Sequence, residues 1–153
     1  MKSFTIILAS LFLITTSVNA QLLQPIKWSY SAKKTADKTY EIHFTATIQS
    51  GWHLYSQSQP EDAIIEPTAF TFNNNPLVSL DGKVKEVGKM EKFRDAKLDI
   101  SANQYSKTVD FVQVVKLKAN AKTSITGSVA FQTCNDERCL PVKTEKFTIA
   151  ISN

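Results

Sequence analysis

Apolar and polar residues alternate strictly from Tyr40 to Gln49: Tyr40, Ile42, Phe44, Ala46 and Ile48 against Glu41, His43, Thr45, Thr47 and Gln49. A period of two places each set on one face of an extended strand. Ile26, Trp28 and Tyr30 repeat the pattern over a shorter run, and Phe147, Ile149 and Ile151 form a last strand of the same kind. Val109, Phe111, Val115 and Leu117 mark another, with Val112 and Val114 on its opposite face, which predicts burial on both sides. Ile125, Val129 and Phe131 lead directly into Cys134. Turn signals fall between the runs at Asn73-Asn74-Asn75-Pro76, Asp81-Gly82 and Ala119-Asn120-Ala121. No segment carries a helical period. Short strands punctuated in this way predict an all-β sandwich rather than a βαβ fold. Two stretches lack a pattern, Gln57 to Pro67 and Gly88 to Lys97, and read as long surface loops.

The first twenty residues stand apart from this pattern. Lys2, the apolar run Phe4 to Ile14 and the small residues Val18-Asn19-Ala20 have the three-part form of a secretory signal, with Gln21 as the expected mature N-terminus. The apolar run is too short to span a bilayer, and no later stretch approaches that length. Residues 21–153 are then expected to form one exported domain with a core of ordinary size and no membrane span after cleavage. The formal charge of +4 is mild and spread along the chain, which leaves no clustered footprint for nucleic acid.

Candidate chemistry lies in Phe131-Gln132-Thr133-Cys134-Asn135-Asp136-Glu137-Arg138-Cys139-Leu140-Pro141, which holds the only two cysteines, five positions apart. Export delivers both to an oxidising compartment. Closing so small a ring stabilises a fold by only about 2 kcal/mol, so the pair is a weak brace. It is well placed for exchange, because each thiol can resolve a mixed disulfide formed by the other. Arg138 favours a thiolate here, whereas Asp136 and Glu137 oppose one. On spacing alone three readings stay open. One is a working redox pair. Another is a structural disulfide that merely pins the loop of a non-catalytic binding module. The third is a zinc site that recruits His43 and His53, although their spacing departs from that of zinc fingers. Otherwise His43 has no assigned role. Trp28 and Trp52 are expected as core or rim aromatics, Gly51 as a tight entry to the strand at His53, and Asp136 and Glu137 as a solvated loop tip.

The stretch Val129-Ala130-Phe131-Gln132-Thr133-Cys134 through Cys139-Leu140-Pro141 resembles the active-site loop of the N-terminal periplasmic domain of the disulfide interchange protein DsbD. Gly51-Trp52-His53-Leu54-Tyr55 resembles that family's Gly-aromatic-x-Leu-Tyr strand. Glu91-Lys92-Phe93, ahead of a strand from Lys97 to Ile100, resembles its cap loop. The three matches follow the family's order and span most of residues 21–153. The resemblance implies an immunoglobulin-like β-sandwich with the cysteine pair on a loop between late strands. It also implies a periplasmic thiol:disulfide oxidoreductase domain that shuttles reductant from a membrane-embedded partner to oxidised periplasmic thiol proteins. In that role Cys139 bonds the partner, Cys134 resolves, and Phe93 caps the pair. His53 and Tyr55, two apart on one strand face, look toward the cysteines, and His53 supplies a proton to a leaving thiolate. No metal or organic cofactor is implied, since electrons travel as thiol pairs. The cysteine gap is one residue shorter than is common in the family, and only Pro141 stands where two prolines often follow the second cysteine. With its end at Asn153, the chain is expected to be a stand-alone homologue whose membrane-embedded or thioredoxin-like reductant lies in a separate chain.

Overall fold

Among the described residues, 23–97 and 99–151 of a computed structural model, the chain forms nine strands and no helix. The signal segment expected at residues 1–20 lies outside them. The strands are β1 (Ile26–Ala36), β2 (Thr39–Ile48), β3 (His53–Tyr55), β4 (Ala69–Phe72), β5 (Val78–Asp95), β6 (Ile100–Leu117), β7 (Thr123–Phe131), β8 (Thr133–Cys134) and β9 (Lys143–Ile151). One sheet runs β1-β2-β6-β3-β8, with β5 also paired to β6; the other runs β4-β7-β9. All pairings are antiparallel.

The alternation in β2 is realised in full. Tyr40, Ile42, Phe44, Ala46 and Ile48 are buried, and they meet Ile125, Val129, Phe147, Ile149 and Ile151 of the second sheet in one core. That core is aromatic at its centre. The Phe44 ring lies 4.9 Å from Phe70 and 4.8 Å from Phe147, and Trp28 lies 5.4 Å from Phe131, all tilted or edge-on as ring quadrupoles prefer. Trp52 is buried in the same core and Trp28 packs against it. Each such side chain stabilises the fold by roughly 1.5–3 kcal/mol through removal from water.

Three expectations need correction. Val112 and Val114 are only half-buried, because they sit in register with His43 and Glu41 on a face shared with Asp110. His43 Nδ1 lies 2.6 Å from Asp110 Oδ2 there. Second, Gly88 to Asp95 is not a loop but the second half of β5. Among the described residues this strand has β6 as its one strand neighbour and is mostly exposed, so no buried face imprints an alternation on its sequence. Asp81-Gly82 belongs to the same strand: Gly82 (φ 71°) stands where the register with β6 shifts, a bulge rather than a chain reversal. Third, no strand starts at Lys97. Asp99 has φ 53° and β6 begins at Ile100. Gln57 to Pro67 lacks strand structure, as expected.

The length of β6 creates the site. Thr108 to Lys116 pair with β2, and Gln104 and Tyr105 pair with β3. Thus β3 takes over the edge of β6 where β2 ends, and β8 adds to β3 at that end of the sandwich.

Candidate functional site

Beyond β2 the chain makes a tight turn in which the Trp52 N–H donates to the Gln49 carbonyl at 3.0 Å. Gly51 has φ 80°, the left-handed conformation that glycine adopts without steric cost, so its expected role as the entry to the next strand is met. Trp52 and Leu54 point into the main core, whereas Tyr55 belongs to a separate buried cluster with Ala102 and Cys134. Register sets His53 opposite Cys134 and Leu54 opposite Thr133.

Strand β3 is only three residues long, and the segment on its C-terminal side anchors it. Glu86 on β5 accepts hydrogen bonds from Ser56 Oγ (2.8 Å), the Gln57 N–H (2.6 Å) and Tyr105 Oη (2.5 Å). Burial, and then the hydrogen bond and charge of Glu86, push the Tyr105 phenol well above its ordinary range, so it stays a donor. Gln59 bridges to Asn103, accepting from its N–H at 2.9 Å and donating to its carbonyl at 2.7 Å. The first residues of the long loop are therefore fixed to the sheet.

Cys134 and Cys139 form a disulfide. The loop between them also carries its own hydrogen bonds. Asn135 Oδ1 accepts from the N–H groups of Glu137 (3.1 Å) and Arg138 (2.8 Å). The Asn135 N–H donates to the Arg138 carbonyl at 2.9 Å, and the Leu140 N–H to the Thr133 carbonyl at 2.8 Å. Gln132 clamps the base of the loop, accepting from the Glu66 N–H (2.9 Å) and donating to the Leu140 carbonyl (3.3 Å). Such a loop keeps a scaffold when the sulfur–sulfur bond opens. Reduction is expected to lower stability by about 2 kcal/mol, seen in a thermal melt as a fall of roughly 5–10 °C. Outright unfolding on reduction would instead make the bridge the loop's main support.

The two sulfurs differ in environment. Cys134 is 4% exposed, and Cys139 is exposed. Both line a hollow of about 600 Å³ together with His53, Tyr55, Phe93 and the rim residue Ile64. The five residues singled out in the sequence thus converge on one place. Burial pushes the Tyr55 phenol above its usual range, so the wall it forms is neutral. Phe93 is not on a loop: it lies near the end of β5, paired with Ala102, and is 45% exposed. Arg94 ties that hairpin end to Asp99 (2.7 Å) and Ser101 (3.2 Å), with Asp62 of the long loop 3.7 Å away. Asp136 and Glu137 are solvated, as expected. The zinc reading has no support in the geometry. The two cysteine sulfurs are bonded to each other, and His43 is engaged with Asp110 on the outer face of the sheet. Among the described residues no group of three or more His, Cys, Asp or Glu is arranged to hold a metal ion. Ile64, which lines the hollow, and Ser106, which lies 3.2 Å from the His53 ring, contribute to the site without any signal in their local sequence.

Residues 19–151 match the family described as "Thiol:disulfide interchange protein DsbD, N-terminal". No curated protein matches the chain. The N-terminal periplasmic domain of ScsB from Proteus mirabilis is similar in structure, with a TM-score of 0.58 at 17% identity over 83% of this chain and 48% of that one. The present chain therefore spans about half the length of that structure. The DsbD N-terminal domain of Neisseria meningitidis in its reduced form has a TM-score of 0.51 at 16% identity, over 82% of this chain and 86% of that one. At such identities the likeness is one of fold, an immunoglobulin-like β-sandwich with the cysteine pair between late strands.

Proposed function

This chain belongs to the family of DsbD N-terminal domains, and on that premise we propose that it is a periplasmic thiol:disulfide exchange domain whose Cys134–Cys139 bridge opens and closes as it passes reductant on. In the reduced form the Cys139 thiolate attacks a disulfide of an oxidised partner protein, releasing one partner thiolate and leaving Cys139 joined to the other sulfur. Cys134 then attacks Cys139, the partner leaves as a dithiol, and the bridge is restored. A membrane-embedded or thioredoxin-like donor resets the domain by running the same exchange in reverse.

The observation that carries this reading is the unequal exposure of the two cysteines: Cys139 is exposed at the surface, whereas Cys134 is buried. A purely structural bridge has no need of that asymmetry, nor of an apolar hollow around it. The test is trapping in intact cells. A Cys134→Ser variant, able to attack but not to resolve, should accumulate mixed disulfides through Cys139, and an empty trap would count against the exchange role.

Phe93 serves as a partial lid over the hollow in this proposal. Removing its ring should speed the reaction of reduced Cys139 with a small disulfide reagent severalfold in Phe93→Ala, measured by stopped flow. Equal rates in the two proteins would remove the lid.

A further inference from the structure

His53 stands directly across the β3–β8 ladder from Cys134 and shares its hollow, an arrangement that brings cross-strand side chains together on one face. Its ring is also held from behind. Nδ1 lies 3.2 Å from Ser106 Oγ, and Ser106 Oγ donates to Glu91 Oε2 at 2.8 Å. A serine hydroxyl has one hydrogen, and a carboxylate has none to offer. With its hydrogen committed to Glu91, the Ser106 oxygen can only accept from the imidazole. Nδ1 must then carry the ring hydrogen, which leaves the basic lone pair of the neutral ring on Nε2. Nε2 is the nitrogen that faces the cysteine loop, with Asp136 Oδ1 3.9 Å away.

We propose that Glu91 and Ser106 are positioning residues that hold His53 in its Nδ1–H tautomer, so that Nε2 takes the proton of Cys134 in the resolving step. The proposal rests on the exchange reading above. The nucleophile in such a step is the thiolate, and Cys134 is enclosed with Tyr55 and Ala102, away from bulk water. When Cys139 carries a partner, the Cys134 proton passes to Nε2. The Cys134 thiolate bonds to Cys139 Sγ, the bond from Cys139 to the partner breaks, and the electron pair departs on the partner's sulfur. The partner disulfide is thereby reduced and this cysteine pair oxidised. The imidazolium then protonates the departing thiolate or releases its proton to water. In the resetting direction the imidazolium protonates Cys134 as it leaves.

The test is ¹⁵N NMR of the protein labelled at histidine, made on the resting disulfide form. The chain has two histidines, and His53→Gln assigns their signals. Neutral His53 should show a protonated Nδ1 and an unprotonated Nε2. Ser106→Ala should lose that bias and slow resolution of a preformed mixed disulfide about tenfold, part of the effect a positioned base supplies. Ser106→Thr, which keeps the hydroxyl, should restore both. An Nε2–H tautomer in the unmutated protein overturns the relay with no need of a variant that folds. So does a Ser106→Ala protein with unchanged tautomer and rate. An unmutated protein that shows the Nδ1–H tautomer but exchanges with no dithiol overturns the exchange reading and the base role with it, so the two failures are distinguishable.

Discussion

Cys139→Ser is expected to abolish exchange, lowering the rate with an oxidised dithiol protein on the order of a thousandfold or more, as loss of a nucleophile does. The remaining cysteine cannot substitute for it. Cys134 is 4% exposed and packs with Tyr55 and Ala102, so its sulfur is much less open to a partner's disulfide than that of the exposed Cys139. Cys134→Ser should behave differently. Its first attack should proceed at a rate near that of the unmutated protein, after which the reaction stalls at one equivalent of mixed disulfide. The two single variants are chemically equivalent substitutions in one small ring, so a structural brace would respond alike to both. Quenched-flow gels and thiol counting read the difference. Equal loss in both variants, or attack that survives Cys139→Ser, would contradict the assignment of roles.

Gly127→Ala should cost about 3 kcal/mol, at the upper end of overpacking effects, and lower the melting temperature by roughly 10 °C. Gly127 faces inward from β7 between the buried residues Ile125 and Val129. A Cβ placed there would lie 2.1 Å from the Thr71 carbonyl oxygen and 2.7 Å from Phe147 Cζ. The oxygen belongs to β4, which is hydrogen-bonded to β7 in register. It cannot retreat without breaking the ladder, and the Phe147 ring is wedged among Tyr30, Phe44 and Phe72. Gly82→Ala makes a useful control. Nothing stands within 4 Å of its added Cβ, so only the positive φ is strained and the cost should be about 1 kcal/mol. Denaturant titration of the two variants should rank them in that order.

Legibility of the fold followed burial. Strands β2, β7 and β9 each have one face in the core, and their alternation stood out in the residue order. Strand β5 pairs with β6 along one edge and is mostly exposed, so its two halves looked like a turn and a loop until that pairing was visible. Phe93 was identified through the family motif, yet its strand position opposite Ala102 depends on that same invisible pairing. At the site, the two cysteines and the His53-Leu54-Tyr55 run were legible because their chemistry or their motif is local. The difference in burial between Cys134 and Cys139 was not, since it arises when β8 joins β3 and draws the first cysteine into the sheet. Glu91, Ser106 and His53 were equally silent as a group. They meet only because β5 and β3 lie on opposite sides of the same stretch of β6.

The decisive measurement is the redox equilibrium of the purified protein against a strongly reducing thioredoxin-type donor, followed by thiol alkylation with circular dichroism as the check on folding. The Cys134–Cys139 bond should open fully while the β-sandwich persists, with a potential above about −300 mV, the range of exchangeable rather than structural bridges. A bond that stays closed under those conditions, or one whose potential falls below that value, would contradict the account and leave a binding module braced by a static disulfide.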